Sequence, residues 1–212
     1  MPILFDLDGT LADPRKGIIS SLKFAIAQFG RDMPTDAELE VTIGPPIHHA
    51  MASLLGTSDD SLIAAAVAAY RDEFSRVGVA GKLVYPGIVE VLQAFHLAGN
   101  SLYVATSKAQ HFAEKIIAAH GLSEFFQGVY GSELDGTRSD KGELIGYLLQ
   151  RESLSASSCT MIGDRKHDIV GAKANSVPAI GVLWGFGSRA ELEYCGADRI
   201  IDCPAQLLSA TG

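Results

Sequence analysis

Two carboxylates one residue apart close a short apolar run near the start of the chain, Ile3-Leu4-Phe5-Asp6-Leu7-Asp8-Gly9-Thr10. On an extended strand, residues two apart project from the same face. Asp6 and Asp8 should therefore point the same way from the strand's C-terminal end. Like charges that close repel, and the repulsion is relieved when one carboxyl is protonated or a cation lies between them. The arrangement suits a nucleophilic carboxylate beside a general acid/base, with a hard, oxygen-seeking metal such as Mg²⁺. An Asp-Gly turn after a strand is also a common structural device, so these eight residues alone leave both readings open.

More polar groups follow later apolar runs. Thr106-Ser107 ends one of them, Lys141 opens a helical stretch, and Gly163-Asp164-Arg165-Lys166-His167-Asp168 follows another. Thr106 alone reads equally well as a helix N-cap, and Lys141 alone as a solvated surface group.

The elements that must position these groups are legible from periodicity. Apolar spacing of three to four predicts helices over 17–29, weakly over 36–41, then over 47–55 and 62–76, with Ser58-Asp59-Asp60-Ser61 as an N-cap cluster. Gly44-Pro45-Pro46 breaks the pattern, because proline cannot continue a helix interior. No strand-like alternation occurs between 14 and 82. From there on, short strands (101–106, 128–130, 159–162, 179–182, 199–201) alternate with helices (88–98, 109–120, 141–151, 168–174, 188–194). That alternation predicts an α/β fold with a doubly wound parallel sheet. Residues 1–13 must join 83–212 to complete one Rossmann-like core, with 14–82 inserted as an all-helical cap. In open parallel sheets ligands lie beyond the carboxyl ends of the strands, where Asp6, Asp8, Thr106 and Asp164 would meet.

The four motifs in this order resemble the haloacid dehalogenase superfamily of phosphatases, and within it the phosphoglycolate phosphatase-like and 5′-nucleotidase-like group. The resemblance spans nearly the whole chain. It implies that Asp6 attacks phosphorus to form an aspartyl-phosphate, and that Asp8 protonates the leaving alkoxide and then activates water. It implies that Mg²⁺ is held by Asp6, the backbone carbonyl of Asp8, and Asp164, with Asp168 as a ligand or a partner to one. Thr106 and the amide of Ser107 would bind phosphoryl oxygens, and Lys141 would offset phosphate charge and orient Asp6. The family often places proline after this lysine. Gly142 stands there instead, which leaves Lys108 as a competing candidate. In the cap, Gly44 and Pro45 with Pro46 match a specificity loop, while His48 or His49 and Arg71 are candidates for contact with the leaving group. Trp184-Gly185-Phe186-Gly187 follows a strand end, and its rings suit either packing on the core or stacking on a base.

Composition narrows the partners. A formal charge of -8 argues against nucleic acid or an anionic membrane as the main partner. No apolar run reaches membrane-span length. The first strand begins almost at Met1, so no signal peptide is expected. Cys159, Cys195 and Cys203 are odd in number and lack metal-ligand spacing, so a reducing cytoplasm is expected. The expected partner is a small phosphorylated metabolite, phosphoglycolate or a nucleoside 5′-monophosphate, acted on by a monomer or homodimer. Two alternatives remain: a β-phosphoglucomutase-like phosphoryl transfer with the same core motifs, and a non-catalytic phosphate sensor, which the intact Asp6-Asp8 pair disfavours. Dehalogenation would give Asp8 no alkoxide to protonate, and no Gly-Lys-Ser/Thr sequence supports a P-loop.

Overall fold

The computed structural model of the chain describes residues 1–77 and 84–211. Strand β1 (Pro2–Phe5) is followed by helices α1 (Arg15–Ala27), α2 (Asp36–Glu40), α3 (Ile47–Leu55) and α4 (Asp60–Val77). Then come α5 (Ile88–Leu97), β2 (Ser101–Ala109), α6 (Gln110–Ala119), β3 (Phe126–Ser132) and α7 (Lys141–Arg151). The chain closes with β4 (Thr160–Gly163), α8 (Lys166–Ala174), β5 (Ala179–Val182), α9 (Arg189–Tyr194), β6 (Arg199–Ile201) and α10 (Leu207–Ala210).

The six strands form one sheet in the order β3-β2-β1-β4-β5-β6, and every neighbouring pair is parallel. The sheet is thus doubly wound, with the reversal in strand order at β1 and β4. Phe5 is in register with both Val104 and Ile162. Thr106 and Asp164 follow two residues later on the flanking chains, so the register brings both to the same end of the sheet as Asp6.

Alternation along β1 separates the two faces. Leu4 enters a buried cluster with Leu144, Ile145 and Leu148 of α7 and Ile169 and Ala172 of α8. Phe5 points to the other face, its ring 6.4 Å from that of Phe95 on α5 and 6.2 Å from that of Phe126. Each such buried side chain contributes about 1.5–3 kcal/mol relative to exposure. A sheet covered on both faces requires near-continuous apolar strands, which explains why β4 and β5 are buried throughout.

The chain folds into two compact units, one formed by Met1–Asp13 with Val84–Gly212 and the other by Pro14–Leu83. The boundary expected at 82/83 lies outside the described residues. Within the second unit α1 packs on α4, burying Ile18, Leu22 and Ile26 on one helix and Ile63, Ala66, Val67, Tyr70 and Phe74 on the other. Helix α2 is separate from α1. Thr35 caps it reciprocally with Glu38, the Thr35 N–H donating to Glu38 Oε2 at 2.8 Å. Asp59 caps α4 by accepting from the amides of Ser61 and Leu62. No helix among the described residues is long and apolar enough to cross a membrane.

Some boundaries differ from those read in the sequence. Helix α1 starts at Arg15, not 17, and ends at Ala27, with Phe29 beyond it. Helix α8 starts at Lys166, not 168, because the Asp168 carboxylate reaches back to accept from the Arg165 amide and completes its first turn. Strand β2 runs on to Ala109 rather than ending at Thr106, with consequences for the site.

Candidate active site

Asp6 leaves β1 still tied to β4, its amide donating to the Ile162 carbonyl at 2.9 Å. The chain then doubles back at once: the amides of Thr10, Leu11 and Ala12 all converge on the Leu7 carbonyl. Gly9 sits in this turn at φ +89°, and a Cβ there would collide with the Asp164 carboxylate. Glycine is required by both the backbone angle and the space.

Lys141, the first residue of α7, is 4% exposed. Its ammonium donates to Asp6 Oδ1 at 2.8 Å and to the Ala105 carbonyl at 2.9 Å, and lies 2.8 Å from Asp168 Oδ1. All three donors are therefore used. Burial alone would lower the Lys141 pKa, but the carboxylates of Asp168 and Asp6 overrule it and raise it. Gly142 in place of the family's proline has a local reason: its amide donates to the N-cap Asp140 at 2.8 Å, a bond proline could not make.

Asp164, fully buried, accepts from Thr10 Oγ1 at 3.3 Å and from the Phe186 amide at 2.7 Å. Burial and the neighbouring charges of Asp168 and Asp6 push its carboxyl well above the ordinary range. Asp168 is raised to about 6 by burial and by Asp6, against the pull of Lys141. Asp6, Asp164 and Asp168 each bring an oxygen within 4.8 Å of the others. Three buried carboxylates facing one ammonium are short of positive charge, and all-oxygen donors suit a hard divalent cation such as Mg²⁺. The residues present fit that group.

Asp8 stands apart from this cluster and offers it no side-chain oxygen. Its Oδ2 lies 2.6 Å from the Lys108 ammonium, while its buried Oδ1 has no hydrogen-bond partner among the described residues. Burial raises the Asp8 pKa, and Lys108 pulls the other way. Two carboxylates of one motif thus occupy different environments, the arrangement that divides acid from nucleophile.

The sequence profile of the haloacid dehalogenase-like hydrolases matches residues 3–182. The chain belongs to that family. It is 49% identical, over 90% of its length and 86% of the other protein, to a 5′-nucleotidase of Pseudomonas aeruginosa. It is 34% identical over 87% of its length to the tyrosine-protein kinase PtkA of Mycobacterium tuberculosis, of which it spans 62%. Phosphoglycolate phosphatases match at 25–27% identity. Among solved structures, a predicted phosphatase from Clostridium acetobutylicum superposes with a TM-score of 0.94 at 35% identity, covering 99% of this chain and 96% of that one.

In this haloacid dehalogenase-like hydrolase Thr106 is buried within β2. Its Oγ1 accepts from the Lys108 amide at 3.3 Å, so the reading of Thr106 as a helix N-cap is corrected; Ala109 holds that place on α6. The Ser107 carbonyl accepts from Ser132 Oγ at 3.0 Å. The Trp184 indole N–H donates to the Thr10 carbonyl at 2.9 Å. Gly185 and Gly187 lie so close to Asp164 that a Cβ on either would overlap it. Gly187→Ala should therefore cost about 1–3 kcal/mol, read as a lower denaturant midpoint with activity falling further than stability accounts for.

Within the unit Pro14–Leu83, Gly44 (φ +111°), Pro45 and Pro46 lead into α3, with Pro46 at its N-cap. His48 is half-buried and His49 exposed. Burial, then the charge of half-buried Arg71, lowers the His48 pKa. Sequence reasoning missed Glu191, which accepts from Arg165 Nε at 3.0 Å and from the Lys166 amide at 2.8 Å. Burial opposes its ionisation, but these two bonds hold its carboxyl below the usual range. It also passed over Thr10 as an Asp164 partner. The Ser188-x-x-Glu191 spacing signals the start of α9, but nothing local points Glu191 to Arg165 or Thr10 to Asp164.

Proposed function

We propose that this hydrolase is a Mg²⁺-dependent phosphomonoesterase acting through a phosphorylated Asp6, with a nucleoside 5′-monophosphate as its substrate. The observation that carries the chemistry is the division between Asp6, inside the acidic cluster and bound by Lys141, and Asp8, outside it with a buried, unpartnered oxygen. The substrate class is supported by the 49% identical 5′-nucleotidase.

Asp6, Asp164 and the backbone carbonyl of Asp8 would hold Mg²⁺, which when bound neutralises charge on the phosphoryl oxygens. Lys141 fixes Asp6 so that one oxygen remains for attack in line with the leaving group. The Thr106 hydroxyl and Ser107 amide would donate to phosphoryl oxygens. Asp8 gives its proton to the leaving oxygen, then takes one from the water that hydrolyses the aspartyl-phosphate. Asp168 anchors Lys141 and the turn at Arg165, acting on Asp6 through the lysine.

The core groups meet only the phosphoryl group, which every substrate shares, so discrimination falls to the helical unit acting as a cap. Alanine at His48 or Arg71 should reorder a panel of nucleotides, phosphoglycolate and sugar phosphates. Each lost bond to a charged group is worth about 1.5–3 kcal/mol, roughly ten- to a hundredfold in kcat/KM, while p-nitrophenyl phosphate is spared. A uniform drop with the ranking intact would assign these residues to the fold. With the wild type and Mg²⁺, nucleoside 5′-monophosphates should lead the same panel. A clear lead for phosphoglycolate would move the substrate, an isomerised sugar phosphate would make the protein a mutase, and inertness toward all would end the reading.

A further inference from the structure

The Lys108 side chain lies beside Asp8, and the scheme above gives it no task. Its side chain is 8% exposed, with the ammonium 2.6 Å from Asp8 Oδ2. The backbone that carries it is fixed from several directions. The Lys108 amide donates to Thr106 Oγ1, and Ser132 Oγ clamps the preceding carbonyl. Gly131 of β3 passes so close that a Cβ there would lie 2.5 Å from the Lys108 carbonyl oxygen and 2.7 Å from Gln110 Cα. The pairing of β2 with β3 shifts register between Ala105 and Ala109 to accommodate this segment. A lysine that only balanced charge would need no such support. Irregular strand ends of this kind re-aim a side chain.

We propose that Lys108 is a positioning residue for Asp8: by holding Oδ2, it aims the unpartnered Oδ1 at the leaving-group oxygen. The proposal rests on the phosphomonoesterase reading. In the first half-reaction an Asp6 oxygen bonds to phosphorus while the bond from phosphorus to the leaving oxygen breaks. That electron pair stays on the leaving oxygen, which takes the proton from Asp8 Oδ1, and the product is an alcohol. The Asp8 carboxylate so formed gains the adjacent ammonium as its counter-charge. In the second half water oxygen bonds to phosphorus, its proton passes to Asp8, and the bond from phosphorus to Asp6 breaks to regenerate the carboxylate.

A misaimed acid matters only when the leaving group needs a proton. p-Nitrophenolate departs unaided, whereas the alkoxide of benzyl phosphate, similar in size, does not. Kinetics of both substrates with Mg²⁺ should show Lys108→Met losing about ten- to a hundredfold in kcat on benzyl phosphate, a part of the 10²–10⁴ a whole acid supplies. The loss on p-nitrophenyl phosphate should stay within about threefold on the same scale. Lys108→Arg, which also grips a carboxylate, should restore most of the ratio. If the methionine variant is unstable, Lys108→Gln against Lys108→Arg supplies the same comparison. Equal losses on both substrates with a raised KM would make Lys108 a phosphoryl contact, and equal losses without one would make it a support of the fold. Unchanged kinetics would give it no role. Each of these three results overturns the proposal. A wild type inert toward both substrates would instead remove the phosphomonoesterase reading on which it stands.

Discussion

Asp6→Asn should reduce phosphomonoester turnover to below about a hundredth of the wild-type rate, the scale of a lost catalytic group. The amide is a poor nucleophile and a weaker ligand for a hard cation, yet it is isosteric and still offers an oxygen to the Lys141 ammonium now 2.8 Å from Oδ1. The loss should therefore appear in kcat while the melting temperature changes little. Steady-state assays on p-nitrophenyl phosphate, with mass spectrometry to exclude deamidation back to aspartate, measure it. Activity above that level would take the nucleophile away from Asp6.

Exhaustive chelation should silence the wild type, and Mg²⁺ should restore it while Ca²⁺ should not restore the full rate. The physical reason is fit. Mg²⁺ demands near-octahedral geometry at about 2.0–2.1 Å, whereas Ca²⁺ accepts looser coordination at about 2.3–2.6 Å. The buried carboxylates of Asp6 and Asp164, which would hold Mg²⁺, are tied to named partners and cannot spread freely. The same binding must stabilise the fold, since the unfolded chain has no such cluster. At free Mg²⁺ a hundredfold above its Kd the gain is about 2.7 kcal/mol, or roughly 5–10 °C in Tm for a chain of this size. Thermal melts against Mg²⁺ should show this rise in the wild type and a flattened one in Asp164→Asn. A wild type that stays fully active in chelator, with a Tm indifferent to Mg²⁺, would remove the cation from the account.

What the sequence made legible was whatever repeats locally. Helices α3 and α7 and strands β5 and β6 fall on the residues their periodicity marks, and the parallel sheet follows from their alternation with helices. Asp6 and Asp164 converge because each leaves the end of one of two paired strands, and Asp168 joins them from the first turn of α8. Thr106 was less legible because a threonine after an apolar run has two uses. The bulged pairing with β3, permitted by Gly131, carries the strand on to Ala109, which takes the N-cap place instead. The choice between Lys108 and Lys141 was beyond sequence for a similar reason. Both side chains are largely shielded, and the carboxylate each one meets is set by packing between elements distant in the chain. Glu191 and the Trp184 to Gly187 loop support the site by contacts that no local pattern encodes.

The central claim, that phosphate passes through Asp6, is tested most directly in a protein that can form the aspartyl-phosphate but cannot readily hydrolyse it. Asp8→Asn is that protein when the substrate is p-nitrophenyl phosphate, whose leaving group needs no acid, because the base for the water step is gone. Mixed rapidly with substrate and Mg²⁺, it should release a burst of p-nitrophenolate stoichiometric with enzyme and then slow. Borohydride added at that point should reduce the acyl phosphate, so that peptide mass spectrometry finds homoserine at position 6 and nowhere else. Steady release without a burst, with Asp6 unmodified throughout turnover, would contradict the account.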